Sequence, residues 1–304
     1  ADLIKKTYPR LEVIPFTPEN AARKPLLLIG TFTAINTEGK ADQPRDAYRL
    51  CLALADLGSS KLVSKGVGFM TLSGIDATPT SHFRDSPVWT RDNPTEGYVR
   101  TCQGTNVADA INAQYVDKIG TAAIIANAIS AYDARNYRQA LELYQRALAA
   151  PGGDQLRVHN GIYLANWRMS KAAAAAEAFA RVVDHGLAQE KLAVMFLFNS
   201  GSSLLAEGRR GTGAPYAMWL QQIAKRAAAR NACLEVVGDT SRAGSEPVNV
   251  RLSTIRAEQI RARLLAAAKG TTLAQNVIAN GVGSREVIVG TTPDGPANAL
   301  DRRV

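Results

Sequence analysis

The stretch that most limits what this chain can fold into runs from Cys233 to about Lys269. A β-rich run, Cys233-Leu-Glu-Val-Val237, enters a turn holding Gly238, Asp239, Thr240, Ser241 and Gly244. Beyond the turn, Asn249-x-x-Leu252-Ser253-x-x-Arg256-Ala257 opens a helix. Strand, polar turn and helix in that order put the turn and the first helical turn at one edge of a sheet. Backbone N–H groups and an Arg there converge on a small charged ligand.

Three runs carry a resemblance: Gly238-Asp239-Thr240-Ser241-x-x-Gly244, then Asn249-x-x-Leu252-Ser253-x-x-Arg256-Ala257, and last Asp301-Arg302-Arg303-Val304. Together they resemble the OmpA-like C-terminal domain family, whose pattern is G-H-T-D-x-x-G, N-x-x-L-S-x-x-R-A and a closing N-R-R-V. The likeness spans about the last third of the chain with its landmarks in order. It implies an OmpA-like α/β sandwich over residues 213–304 and a peptidoglycan-binding role, usually through the diaminopimelate of the stem peptide. That ligand offers an ammonium and a carboxylate, so its receptor needs a carboxylate and a guanidinium at fixed separation. Carried over position by position, the contact set is Asp239, Thr240, Ser241, Asn249, Leu252, Arg256, Arg302 and Arg303.

The family's base is present as Arg256, but its acid position holds Ser241. Losing a charge-assisted bond to the ammonium costs roughly 1.5–3 kcal/mol, about ten- to a hundred-fold in affinity. Asp239, two residues earlier, points to the same side if the strand continues, and either replaces part of that charge or caps the turn. The other positions also have plain structural readings. Asn249 and Ser253 fit the first turn of a helix, Leu252 and Ile260 fit a core, and Arg302 and Arg303 fit pairing with carboxylates of the fold.

The chain has 304 residues, long enough for two or three domains. No run of 18 apolar residues suggests a membrane-spanning helix. The start at Ala1, in a polar segment, is what a processed product would show. A net charge of +9 invites a nucleic-acid reading. Lys and Arg are spread along the chain, however, and aromatics are only 6%, leaving little to stack on bases. An anionic envelope polymer or membrane surface accounts for the charge equally well. Cys51 and Cys102 are either a disulfide or buried thiols, and Cys233 is then left over, unless its partner lies beyond Val304. Arg302 to Val304 reads as the start of a strand.

Residues 1–23, with Pro9, Pro15 and Pro18, read as an extended arm, a tether if a lipidated Cys precedes it. Residues 24–106 read as a small α/β domain with a long loop. Its strands are Leu26–Ile35, Ala47–Asp56 and Lys61–Met70, with Tyr48, Leu50, Leu52 and Leu54 on one face of a half-buried sheet. The phrase AYRLCLALADLGSSKLVSKG is similar to small envelope lipoprotein domains of the curli-export and penicillin-binding-protein-activator type. It carries no catalytic residue. Residues 71–106 lack periodicity and read as a long loop anchored by Trp89 and Tyr98.

Residues 107–209 turn helical. Ala140, Tyr144 and Ala147, followed by Pro151, recur as Ala175, Phe179 and Val182, 35 residues later. This resembles the tetratricopeptide repeat, where small residues let paired helices approach and the aromatic fills the gap between neighbours. The resemblance implies either a concave partner-binding face or a rigid spacer. Leu192–Glu207 is expected to add a further helix, Gly208–Gly213 is the expected domain boundary, and Ala214–Arg230 the next helix.

His82, His159 and His185 have no partner at metal-ligand spacing in the sequence. Phosphate loops and a G-x-S-x-G elbow are missing, so no catalytic residue, metal or cofactor is assigned. The reading is a multidomain α+β, non-enzymatic adaptor of a Gram-negative periplasm, with no nucleic-acid partner, joined to peptidoglycan, to envelope protein partners and, through a lipidated N-terminus, to the outer membrane. The alternative is a protein–protein scaffold whose C-terminal domain no longer binds the wall.

Overall fold

A computed structural model describes residues 2–36, 38–40, 47–71, 79–88, 92–206, 215–269, 271–287 and 296–304. The chain is a multidomain α+β protein that divides into two compact units. One comprises residues 1–75, 91–130 and 142–154, the other residues 76–90, 131–141 and 155–304. In chain order the elements begin with α1 (Asp2–Thr7), α2 (Pro18–Ala22), β1 (Leu26–Ile35), β2 (Ala47–Asp56) and β3 (Lys61–Thr71). Then come α3 (Ser81–Asp85), α4 (Asn93–Gln103), α5 (Ala113–Val116), α6 (Ile119–Asp133) and α7 (Tyr137–Ala149). The remainder is α8 (Leu156–Arg168), α9 (Ala172–Ala188), α10 (Tyr216–Ala229), β4 (Leu234–Gly238), α11 (Glu246–Ala267) and β5 (Val277–Gly281).

In the first unit β1, β2 and β3 form an antiparallel sheet in chain order. The β2–β3 turn is built by Asp56, whose carboxylate accepts from the Gly58 and Ser59 backbone N–H groups and the Ser59 hydroxyl. The three strands fall within a residue of their expected limits. The covered face is the opposite of what large side chains suggest. Ala47, Cys51, Ala53 and Ala55 of β2 are buried, while Leu52 on the other face is exposed. Small residues are covered because α4 lies against β1 and β2, and a Cys51–Cys102 disulfide ties it there. Ile29, Leu57, Leu62, Ile111 and Tyr115 complete this core.

Two expectations for this part of the chain are corrected. Residues 1–23 are not extended throughout: α1 and α2 interrupt them, and Thr17 caps α2 ahead of Pro18 at its first position. Residues 71–106 are not one long loop, since α3 and α4 lie within them. Asp92 caps α4 by accepting from the Thr95 backbone N–H, and Pro94 sits where a missing N–H does no harm. Tyr98 on α4 satisfies both the N–H and the carbonyl of Gly30 at the outer edge of β1. Trp89 lies outside the described residues.

In the second unit α8 packs on α9, α9 on α10, and α10 on α11. Their shared core is aromatic. Phe179 stacks on Trp219 at 5.5 Å between ring centroids, Tyr163 accepts from the Trp219 indole N–H at 2.9 Å, and Phe196 and Tyr216 close the cluster. Ala140, Tyr144, Ala147, Ala175, Phe179 and Val182, the positions behind the repeat resemblance, are all fully buried. Leu192 to Ala206 is not helical: isolated bridges at Val194, Leu197, Phe198 and Leu205 flank a turn at residues 200–204. Phe196 exchanges both backbone hydrogen bonds with Val304, and the Phe198 N–H donates to the Arg302 carbonyl. Residue 207 and the expected boundary Gly208–Gly213 lie outside the described residues.

Candidate functional site

The site is assembled where four short extended segments meet the N-terminal half of α11. β4 and β5 run parallel. The Asp239 N–H donates to the Arg303 carbonyl at 2.8 Å and the Thr240 N–H to that of Gly283 at 2.8 Å. The turn after β4 is therefore held between the loop after β5 and the C-terminal residues, which in turn pair with Phe196 and Phe198.

Two glycines permit this closeness. A Cβ on Gly238 would sit 2.1 Å from the Ser253 carbonyl oxygen, and one on Gly281 would sit 2.3 Å from the Thr254 nitrogen. The two residues are register partners, so α11 lies directly on the backbone of both strands. Ser253 adds the lock: its hydroxyl donates to the Val250 carbonyl and accepts from the Gly283 N–H, each at 2.9 Å. The carboxylate of Glu246, in the first turn of α11, accepts from the Ser284 hydroxyl at 2.6 Å.

Arg256 is fully buried. Its Nε donates to the Ser202 carbonyl at 3.0 Å, Nη2 to those of Asn199 at 3.1 Å and Ser202 at 2.8 Å, and Nη1 to that of Asp239 at 3.0 Å. The guanidinium also lies 5.1 Å from the Phe198 ring centroid. It thus ties α11 to two segments distant in sequence, 198–202 and the turn at Asp239. Asn199 and Ser202 belong to the stretch expected to be helical, so no sequence signal near Arg256 pointed to them.

Asp239 faces inward as well, 3.1 Å from Arg303 Nη2. Burial raises its carboxyl pKa to about 7; Arg303 pulls it down, while Glu286 and Asp301 push it further up. Arg303 also donates to the Leu300 and Glu286 carbonyls, and the buried Arg302 reaches the Phe198 carbonyl at 3.4 Å. Asn249 and Ser241 are buried, whereas Leu252 is half-buried rather than core; Ile260 is core. The Thr240 hydroxyl is buried and, among the described residues, has no hydrogen-bond partner, a condition it shares with side-chain oxygens away from the turn such as those of Asn160 and Gln259.

A second polar cluster lies in the same unit, away from this turn. Asp85 forms a buried ion pair with Arg168 and accepts from the Tyr132 hydroxyl at 2.8 Å. Burial and the Asp85 carboxylate push the Tyr132 hydroxyl well above its ordinary pKa. The cavity beside them, lined also by Tyr163, Trp167 and Trp219, has room for about one water. Burial drives His82 down to about pKa 4, although Asp133 and Asp85 oppose it. His159 and His185, far apart in sequence, have ring centroids 4.9 Å apart.

No family model matches this sequence, and no curated protein matches it. Among solved structures, the chain is similar to the peptidoglycan-associated lipoprotein from Burkholderia pseudomallei. The match covers 36% of this chain and 84% of that one at 22% identity, with a TM-score of 0.30. At that TM-score the likeness bears no weight for function, and the motif with its geometry stands alone.

Proposed function

We propose that this chain is a non-enzymatic envelope protein that associates with peptidoglycan through the turn at Asp239–Ser241 and the face of α11 beside it. The observation that carries this reading is the buried, unpartnered Thr240 hydroxyl within the one turn whose residues resemble the family's contact motif. A polar ligand group would satisfy it. Arg256 acts as a positioning residue, holding the 199–202 backbone and the Asp239 carbonyl, while Thr240, Ser241 and Asn249 meet the stem peptide. With Ser241 at the acid position and Asp239 paired to Arg303, the contact is weak.

The Cys51–Cys102 disulfide fits an oxidising compartment such as the periplasm, and the net charge of +9 favours an anionic polymer. The helical repeats and the N-terminal sheet would hold envelope partners, and a lipidated N-terminus would add outer-membrane attachment. A second reading, a scaffold that has given up the wall, is favoured by the inward commitment of both Arg256 and Asp239.

Co-sedimentation of the full chain with purified sacculi at two salt concentrations separates the two readings. Association predicts pelleting that weakens with salt and strengthens in Ser241→Asp. A chain that stays in solution, with Ser241→Asp also soluble, supports the scaffold.

A further inference from the structure

The face of the first unit's sheet that α4 does not cover carries large apolar side chains. Leu26 (53%), Leu28 (51%), Phe32 (49%), Leu52 (45%) and Met70 (41%) are exposed there, beside the half-buried Tyr48, Leu50 and Leu54. This field, on the order of 500 Å², is at the upper end of what a monomer leaves open to water.

Its relief has two parts. Leu52 leans toward β1, so that a Cβ on Gly30 would sit 3.3 Å from its Cδ2, and Phe32 stacks on Tyr48 at 4.1 Å. These side chains make a ridge along β1 and β2. Opposite Leu52 and Leu50 in register are Gly66 and Gly68 of β3, where an added Cβ would meet nothing within 4 Å. That side of the sheet is a trough.

We infer that this face is the interface of a homodimer, in which the ridge of each copy lies over the glycine trough of the other. A ridge and a trough side by side on one surface are self-complementary under a two-fold axis, as an isologous interface requires. Two such faces would bury roughly 1,000 Å² in total, the lower bound for a specific interface and the size of a weak dimer. Aligned sheets pack about 10 Å apart with interdigitated side chains, and the trough supplies the depth for the facing Leu52 and Phe32.

The test is sedimentation velocity of the full chain up to roughly 100 µM, with the exposed Cys233 alkylated so that a chance intermolecular disulfide is not counted. A dimer is expected. Leu52→Lys places a charge in the ridge and Gly66→Phe fills the trough. Each raises the dissociation constant about tenfold or more, while Val248→Lys, at an exposed position on α11, leaves it unchanged. Circular dichroism and thermal unfolding identify any variant that has lost its fold, and the other then carries the result. A chain that is monomeric throughout, including one that holds a different protein or lipid on this face, overturns the inference. So does a dimer indifferent to both substitutions.

Discussion

Gly66 and Gly68 in the N-terminal sheet face empty space, whereas Gly238 and Gly281 in β4 and β5 face the backbone of a helix. The same residue therefore does opposite things in the two units. In the first it leaves a surface unfilled, and the sheet keeps large side chains outward with alanines and a disulfide inward. In the second it brings α11 so near that polar groups of the helix and of distant segments interlock, burying Arg256, Asp239, Asn249 and Ser253. The proposed contact turn lies in the second arrangement, where a buried Arg and Asp are held by distant segments; the face considered in the first offers shape and apolar area.

Adding one methyl to each kind of glycine is the harshest way to break this comparison. Gly238→Ala forces overlap with the Ser253 carbonyl, so a loss of about 4 kcal/mol or more is expected in urea unfolding. Gly66→Ala meets nothing within 4 Å and should change stability by less than about 1 kcal/mol. Equal losses would mean the two sheets do not differ as described.

Next in size is the disulfide. It closes a loop with a sequence separation of 51, and replacing Cys51 and Cys102 by serine is expected to remove about 4 kcal/mol. Hydrogen exchange should show the loss in β1–β3 and α4, with protection in α11 retained.

Arg256→Met tests the second unit in the same way. It leaves the carbonyls of Ser202 and Asp239 without the Arg donor and that of Asn199 with the Ser202 N–H alone, an expected loss of about 3 kcal/mol, and exchange should quicken in 195–206 while β1–β3 are unaffected.

The effect that is smallest over any single pH unit is one of pH, and it belongs to the second unit. Asp239 holds its proton to about pH 7 when folded but releases it near its ordinary value when unfolded. Its contribution to stability therefore falls as pH rises from about 4 to about 7. His82 stays neutral down to about pH 4 when folded and gains a proton near its ordinary value when unfolded, so its contribution falls as pH drops from about 6.5 to about 4. The two slopes oppose each other, each at most roughly 1.4 kcal/mol per pH unit. Relative to the parent, Asp239→Asn should gain stability with rising pH between about 4 and 6.5, and His82→Gln should lose it. Parallel curves would refute the assignment.

The strands of the first unit were legible because alternation and the Asp56–Ser60 turn are local signals. Alternation says which side chains share a face but not which face is covered, and the disulfide-bound α4 chose the alanines. The α4 start was in fact written in Asp92, Pro94 and Glu96, a cap, an early proline and an acid in the first turn. Leu192–Ala206 misled for a different reason. A short apolar run has no decisive period, and its strand partner, Arg302–Val304, lies about a hundred residues away. Arg256 is expected from the sequence to meet a ligand, and most of the carbonyls that hold it instead come from that segment. The structure brings Gly238, Ser253 and Arg256 together at one turn, and their inward contacts are visible only in three dimensions.

Replacing Thr240 by valine tests the proposed contact turn most directly, since it removes the unpartnered hydroxyl and little else. The measurement is calorimetric titration of a stem peptide ending in diaminopimelate into the full chain and into Thr240→Val. A site that keeps this hydroxyl for a ligand predicts a variant at least as stable as the parent that binds about three- to tenfold more weakly. Equal affinity in the two proteins, or no heat from the parent at all, would contradict it.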